Sequence, residues 1–209
     1  RHIPKGDAPA ALINAQAHRW TWAEFSELDH IGHSAVKQQS IREQGDVCAY
    51  TELPLLENPK DVHLDHFKRK GLPAYTDLRF NWDNLLAALH SRGREYGADH
   101  KDSVINADNH LEYYSKLINP VIDDPQSFFQ YMTDGSIMPR YDIPDDNKER
   151  ADLTIKVFKL NHGYLRNRRR GIMSLVDNYG DLSGDIVREC CHDFGFPSVV
   201  DFVLSKRES

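Results

Sequence analysis

Between Val62 and Asp102 the chain carries residues whose types and spacing suit phosphodiester hydrolysis assisted by one metal ion. Val62-His63-Leu64 alternates as a short strand and delivers Asp65 and His66 side by side. Asn84 follows further on, and Asp99-His100-Lys101-Asp102 closes the stretch. Such chemistry needs one imidazole free to deprotonate water and one or two ligands to hold a divalent cation. Adjacent strand residues point to opposite faces, so Asp65 and His66 share a site only where the strand ends and turns. Lys68-Arg69-Lys70-Gly71 and Pro73 supply that turn. Taken alone, such a common pair is more often a turn-capping aspartate beside a half-buried strand histidine.

The elements around these residues must hold them in place. Leu85-Leu86-Ala87-Ala88-Leu89 is an apolar run expected to be helical, with Asn84 at its N-cap, where an amide side chain satisfies free backbone N–H groups. An asparagine there would also pin the loop between strand and helix. Gln44–Glu52 enters the stretch as a strand or turn with Cys48 and Tyr50 buried, and Glu52 fits a fold-stabilising acceptor better than a ligand.

Three segments together resemble the HNH nuclease core: Cys48-Ala49-Tyr50-Thr51-Glu52, Leu64-Asp65-His66-Phe67-Lys68-Arg69-Lys70, and Phe80-Asn81-Trp82-Asp83-Asn84-Leu85. They are most similar to the PtuB-like HNH proteins that accompany an ATPase in Septu-type and retron-linked bacterial antiphage systems. Those proteins carry Cys-x-Tyr-Cys-Glu, then Asp-His-Phe-x-Pro-Lys, then Phe-x-Trp-x-Asn-Leu. The resemblance implies His66 as general base, Asp65 as metal ligand and Asn84 as the loop-fixing asparagine of the catalytic unit. The third motif position falls best on His100, with Asp99 as its rival. The similarity extends over most of residues 40–175, and Arg169 matches the family's arginine. This chain departs from the pattern at Thr51, Leu89 and Tyr96, which stand where zinc-binding cysteines are expected, and at Arg69, which replaces a proline. One surviving cysteine cannot make a structural zinc knuckle, so no structural zinc is expected.

The net charge of −6 excludes a generally basic nucleic-acid binder. A positive field must then be local or come from a partner. Arg166, Arg168, Arg169 and Arg170 form a dense basic run, which suits either a solvated helix face or a phosphate clamp. Lys68, Arg69 and Arg169 are the candidate nucleic-acid contacts. Three cysteines, two of them adjacent, make no disulfide framework. No signal peptide or membrane-spanning run is evident, so the expectation is a cytoplasmic bacterial protein without membrane contact.

Along the chain, Arg1–Pro9 reads as an irregular polar tail, followed by a short helix over Ala10–Ala17. Thr21-Trp22-Ala23-Glu24 is a capping box that starts a helix running to about Glu43, closed by Gly45. His18, His30 and His33 fit surface or capping roles. Helices are expected over Ala107–Leu117, from Asp124 through Tyr131, over Asn147–Leu160, and twice within 181–206, with a hairpin or turn at Met132–Arg140. The whole is expected to be α+β: an N-terminal helical segment (1–45), a ββα-metal core (46–102) and a C-terminal helical region (103–209). The expected function is a metal-dependent endonuclease using Mg²⁺ or Mn²⁺ held by Asp65 and His100. By resemblance it acts with a PtuA-like ATPase on DNA, or on RNA such as tRNA. The alternative is a catalytically inactive HNH-like adaptor of the ATPase.

Overall fold

Ala10–Ala17 forms helix α1, with the boundaries its small and apolar residues imply. The computed structural model describes residues 1–57, 59–91, 93 and 95–207. Helix α2 (Trp22–Leu28) opens on the capping box: the Thr21 hydroxyl accepts from Glu24 N at 3.2 Å, and the Glu24 carboxylate accepts from Thr21 N at 2.7 Å. The single helix expected from Thr21 to Glu43 is two helices. Asp29, at φ −128° and ψ 62°, ends α2 and caps α3 (His30–Glu43) by accepting from Gly32 N at 2.8 Å. A short carboxylate side chain competes for backbone N–H groups and so favours a cap over a helix interior. Gly45, at φ +63°, closes α3.

Strand β1 (Val62–His66) pairs antiparallel with β2 (Leu85–Leu89), placing His66 opposite Leu85 and Asp65 opposite Leu86. The helix expected over Leu85–Leu89 is therefore a strand. Its side chains explain why: Leu85, Leu86, Ala87 and Ala88 are all fully buried. Leu85 packs with Leu12, Phe25 and Val36; Leu86 with Phe67, Ile105 and Val157; Ala87 and Ala88 with Cys48, Val176 and Val199. A short run buried on both faces carries no periodicity that separates strand from helix. The free edge of β2 is covered from α3. The Gln44 amide donates to Ala87 O and accepts from Ala87 N, both at 2.8 Å, as a neighbouring strand would.

Helix α4 (Gly97–Val104) follows β2 and packs back on it, so strand, strand and helix succeed one another in that order. Beyond lie α5 (His110–Lys116), β3 (Phe129–Tyr131), β4 (Ile137–Pro139), α6 (Asp145–Val157), α7 (Gly163–Asn178), α8 (Gly184–Cys191) and α9 (Pro197–Arg207). The helix expected from Asp124 to Tyr131 is only a 3₁₀ turn, Pro125–Ser127, because Phe129–Tyr131 pairs with Ile137–Pro139. The fold is thus mixed α+β with two small antiparallel sheets. The N-terminal segment is irregular but not a free tail, since Ile3 is buried beside Leu86 and the Lys5 ammonium donates to Leu85 O at 2.7 Å. Among the described residues no helix is long and apolar enough to cross a membrane.

Candidate functional site

The alternation of β1 sends His63 and Asp65 toward α4, while Leu64 and His66 face the N-terminal helices. Because His66 is the last residue of the strand, both Asp65 and His66 still line one cavity of about 400 Å³. His63, Arg69, Lys70, Asp99 and Asp102 complete much of its wall.

His66 is held as a base would need to be. Its Nε2 lies 2.9 Å from Arg79 O. A carbonyl only accepts, so Nε2 carries the proton and Nδ1 keeps the lone pair. That Nδ1 is buried and has no hydrogen-bond partner. Burial, then the nearby Lys70 ammonium, push the imidazole down to about 4, so the neutral form prevails at pH 7. Trp22 stands edge-on to the ring with centroids 4.5 Å apart, which fixes its plane.

Asn84 fixes the loop that follows β1. Its Oδ1 accepts from Lys68 N at 2.8 Å, and its Nδ2 donates to Lys68 O at 3.1 Å and to Leu78 O at 3.3 Å. Phe67 N donates to Asn84 O at 2.9 Å, so one residue ties both ends of the loop. Asn84→Ala is expected to cost about 1–3 kcal/mol, because buried backbone groups lose their partners. Urea denaturation measures it, and a loss within 0.5 kcal/mol of zero, the ordinary effect of a neutral substitution, would remove the pinning role.

His100, the expected second metal ligand, is not among the residues lining this cavity. The His100 Nδ1 is 2.8 Å from Val157 O and serves the packing of α4 on α6. Its neighbour Lys101 is fully buried instead, and its ammonium donates to Asp65 Oδ2 at 2.6 Å and to His66 O at 2.7 Å. The Tyr50 hydroxyl donates to the same Oδ2 at 2.5 Å. Burial works to raise Asp65, but the Lys101 ammonium and these two hydrogen bonds prevail and hold it below the usual carboxylate range.

The helix does supply a carboxylate to the Lys101 ammonium, from Asp102 rather than from Asp99 or His100. Asp102 Oδ1 is buried without a hydrogen bond and lies between two cations, 3.3 Å from the Lys101 ammonium and 3.6 Å from Arg69 Nε. Burial raises Asp102, and Asp65 adds to that more weakly than Lys101 opposes it. Two carboxylates therefore share one ammonium at the edge of the cavity that holds His66. The legible signal was the spacing: Asp99 and Asp102, three apart, lie on one helix face.

The three candidate nucleic-acid contacts fare differently. Arg69 donates to Asp102 O at 2.8 Å and to Ile105 O at 2.6 Å, so it caps α4 while lining the cavity. Lys68 is half-buried, with its ammonium over the Tyr75 ring. Arg169 is not a phosphate contact: it is buried and donates to Gly135 O at 2.7 Å and Leu160 O at 2.6 Å, docking the β3–β4 turn on α7. Gly135, at φ +79°, has no room for a side chain against Arg166 O. Of the other arginines in the run, Arg166 pairs with Asp134 and Arg168 with Glu57, leaving no continuous basic patch. Arg169→Met is expected to cost about 1–3 kcal/mol through the two orphaned carbonyls. Arg170→Glu, on the exposed face, is expected to stay within about 0.5 kcal/mol. Thermal denaturation of both variants checks the contrast.

Cys48 is buried in the core beside Ala87 and Val199, with Leu89 and Tyr96 packed around that cluster. Glu52 accepts from Ser198 N at 3.1 Å and from Ser198 Oγ at 2.5 Å, anchoring the first turn of α9. No protein-family model matches the chain, and no curated protein matches it.

Proposed function

We propose that the chain is an HNH-type endonuclease that hydrolyses phosphodiester bonds with His66 as general base. The observation that carries this reading is the state of His66. A carbonyl fixes its protonated Nε2, its Nδ1 is left without a hydrogen-bond partner, and the residue lines a cavity shared with two carboxylates. The order β1, β2, α4 supports it, as does Asn84 pinning the intervening loop.

A divalent cation fits Asp65 and Asp102, not Asp65 and His100. Carboxylate oxygens are the hard donors Mg²⁺ and Mn²⁺ take, and Asp102 Oδ1 is a buried acceptor with no hydrogen bond. When bound, the ion supplies charge stabilisation at the phosphate. His66 Nδ1 takes the proton of the attacking water, Arg79 O keeps the ring in the required tautomer, and Lys101 holds Asp65 through Oδ2. Arg69 and Lys70 line the same cavity as cations for the phosphate backbone.

By resemblance, the enzyme acts in the cytoplasm within an antiphage system and is bound to a PtuA-like ATPase. The surface for that partner is the N-terminal helices, where Ile13, Leu28 and Ile31 are exposed apolar side chains. Helix α9 suits this role less, because Val199, Val200 and Leu204 are buried against the body of the protein.

A second reading, an inactive adaptor of the ATPase, is favoured by one feature: the Lys101 ammonium already neutralises Asp65. Incubating the chain, alone and with the ATPase, with supercoiled plasmid and with total tRNA separates the two. Cleavage of either that needs Mg²⁺ or Mn²⁺, stops with chelator and is lost in Asp102→Asn supports the enzyme and names its substrate. A complex that forms but leaves both nucleic acids intact supports the adaptor.

A further inference from the structure

We infer that His63, His90 and Asp99 form a transition-metal site that clamps β1 and the end of β2 to the first turn of α4. One ligand atom from each of the three residues lies within 4.8 Å of the other two, close enough for a single ion. His63 lies in β1, His90 directly follows β2 and Asp99 lies in the first turn of α4. A bound ion there would cross-link the unit.

The donors are prepared for this. His63 Nδ1 is a buried ring nitrogen with no hydrogen-bond partner. The His63 and His90 rings stack face to face with centroids 3.7 Å apart, 13° from parallel, which keeps the two imidazoles adjacent. Asp99 Oδ2 accepts from Ser91 N at 2.6 Å and Ser91 Oγ at 3.3 Å, while Oδ1 lies 3.0 Å from His90 Nδ1. Ser91 thus orients the carboxylate in the way outer partners orient metal ligands.

Two imidazoles and one carboxylate select zinc, cobalt, nickel or copper over magnesium or calcium. The donor set borders the same cavity as Asp65 and Asp102 but uses neither of them, and it contains no cysteine. The expectation of no structural zinc rested on the broken cysteine pattern around Cys48, to which these residues do not belong. The site stands whether or not the chain cleaves nucleic acid.

The test is titration of the full chain, stripped with chelator, with Co²⁺ in the presence of excess Mg²⁺ to fill oxygen-only sites. One Co²⁺ per chain is expected, with d–d absorption, no thiolate charge-transfer band, and displacement by Zn²⁺. Ser91→Ala is expected to weaken binding roughly 10–100-fold, and His63→Ala and Asp99→Asn by more, while Asp102→Asn leaves it unchanged. Should a variant fail to fold, the imidazole NMR signals of His63 and His90 in the unsubstituted chain must still shift with Zn²⁺. Absence of stoichiometric Co²⁺, a thiolate band, or full binding by a folded His63→Ala variant overturns the inference.

Discussion

His66→Ala is expected to lower cleavage by about 10²–10⁴-fold, the range a positioned proton-transfer group contributes, while leaving a folded protein. The imidazole is 3% exposed, so its loss leaves space beneath Trp22. The strand it ends keeps its backbone pairing with Leu85, which does not depend on the side chain. Far-UV circular dichroism and thermal denaturation establish folding before rates are compared. Added imidazole should restore part of the lost rate, because a small base can enter the space left by the ring. A structural role for His66 predicts no such rescue. A folded variant that cleaves at the original rate would remove His66 from the mechanism.

Lys101→Met should destabilise the protein by about 3–5 kcal/mol, the usual result of leaving one member of a buried ion pair alone. Lys101 is fully buried, and its ammonium serves Asp65 Oδ2 together with the carbonyls of His66 and Phe67. Methionine keeps much of the volume and removes every donor. The pH dependence gives the sign. With Asp65 held below its ordinary 3.8 in the folded chain, its contribution is present at neutral pH. It is lost as pH falls below about 4, through the folded value. In Lys101→Met the carboxylate has lost its counter-ion and its folded value rises, so acid should relieve the destabilisation rather than add to it. Urea denaturation at several pH values measures both effects. The Asp65→Asn/Lys101→Met pair should be more stable than Lys101→Met alone, since no charge is left stranded. A single-variant loss under 1 kcal/mol, or no recovery in the pair, would mean that the buried pair is not what ties α4 to β1.

Much of the local structure was legible from side-chain chemistry. The small apolar run gives α1, the Thr21–Glu24 box starts α2, and Gly45 ends α3, because caps act over three or four residues. The end of β1 at His66, which lets neighbouring residues share a cavity, follows from the turn residues just beyond it. Asn84 reads from sequence as a loop-pinning helix N-cap; it does pin the loop through Lys68 and Leu78, but the segment after it is strand β2, so it caps no helix there.

Tertiary packing decided the rest. Leu85–Leu89 is a strand because β1 and the Gln44 amide flank it and three apolar clusters meet on it, none of which is local in sequence. Successive helix residues point about 100° apart, at 3.6 residues per turn. The facing of α4 therefore determines whether His100, Lys101 or Asp102 meets β1. Docked against α6, it turns His100 to Val157 O, buries Lys101 against Asp65, and leaves Asp102 at the cavity. Arg169 shows the same rule. Four arginines in five residues look like one basic surface, but a helix spreads them around its axis. The one facing inward is spent on the carbonyls of Gly135 and Leu160. Residue types named the chemistry available; the rotation of two helices about their axes chose which residues could perform it.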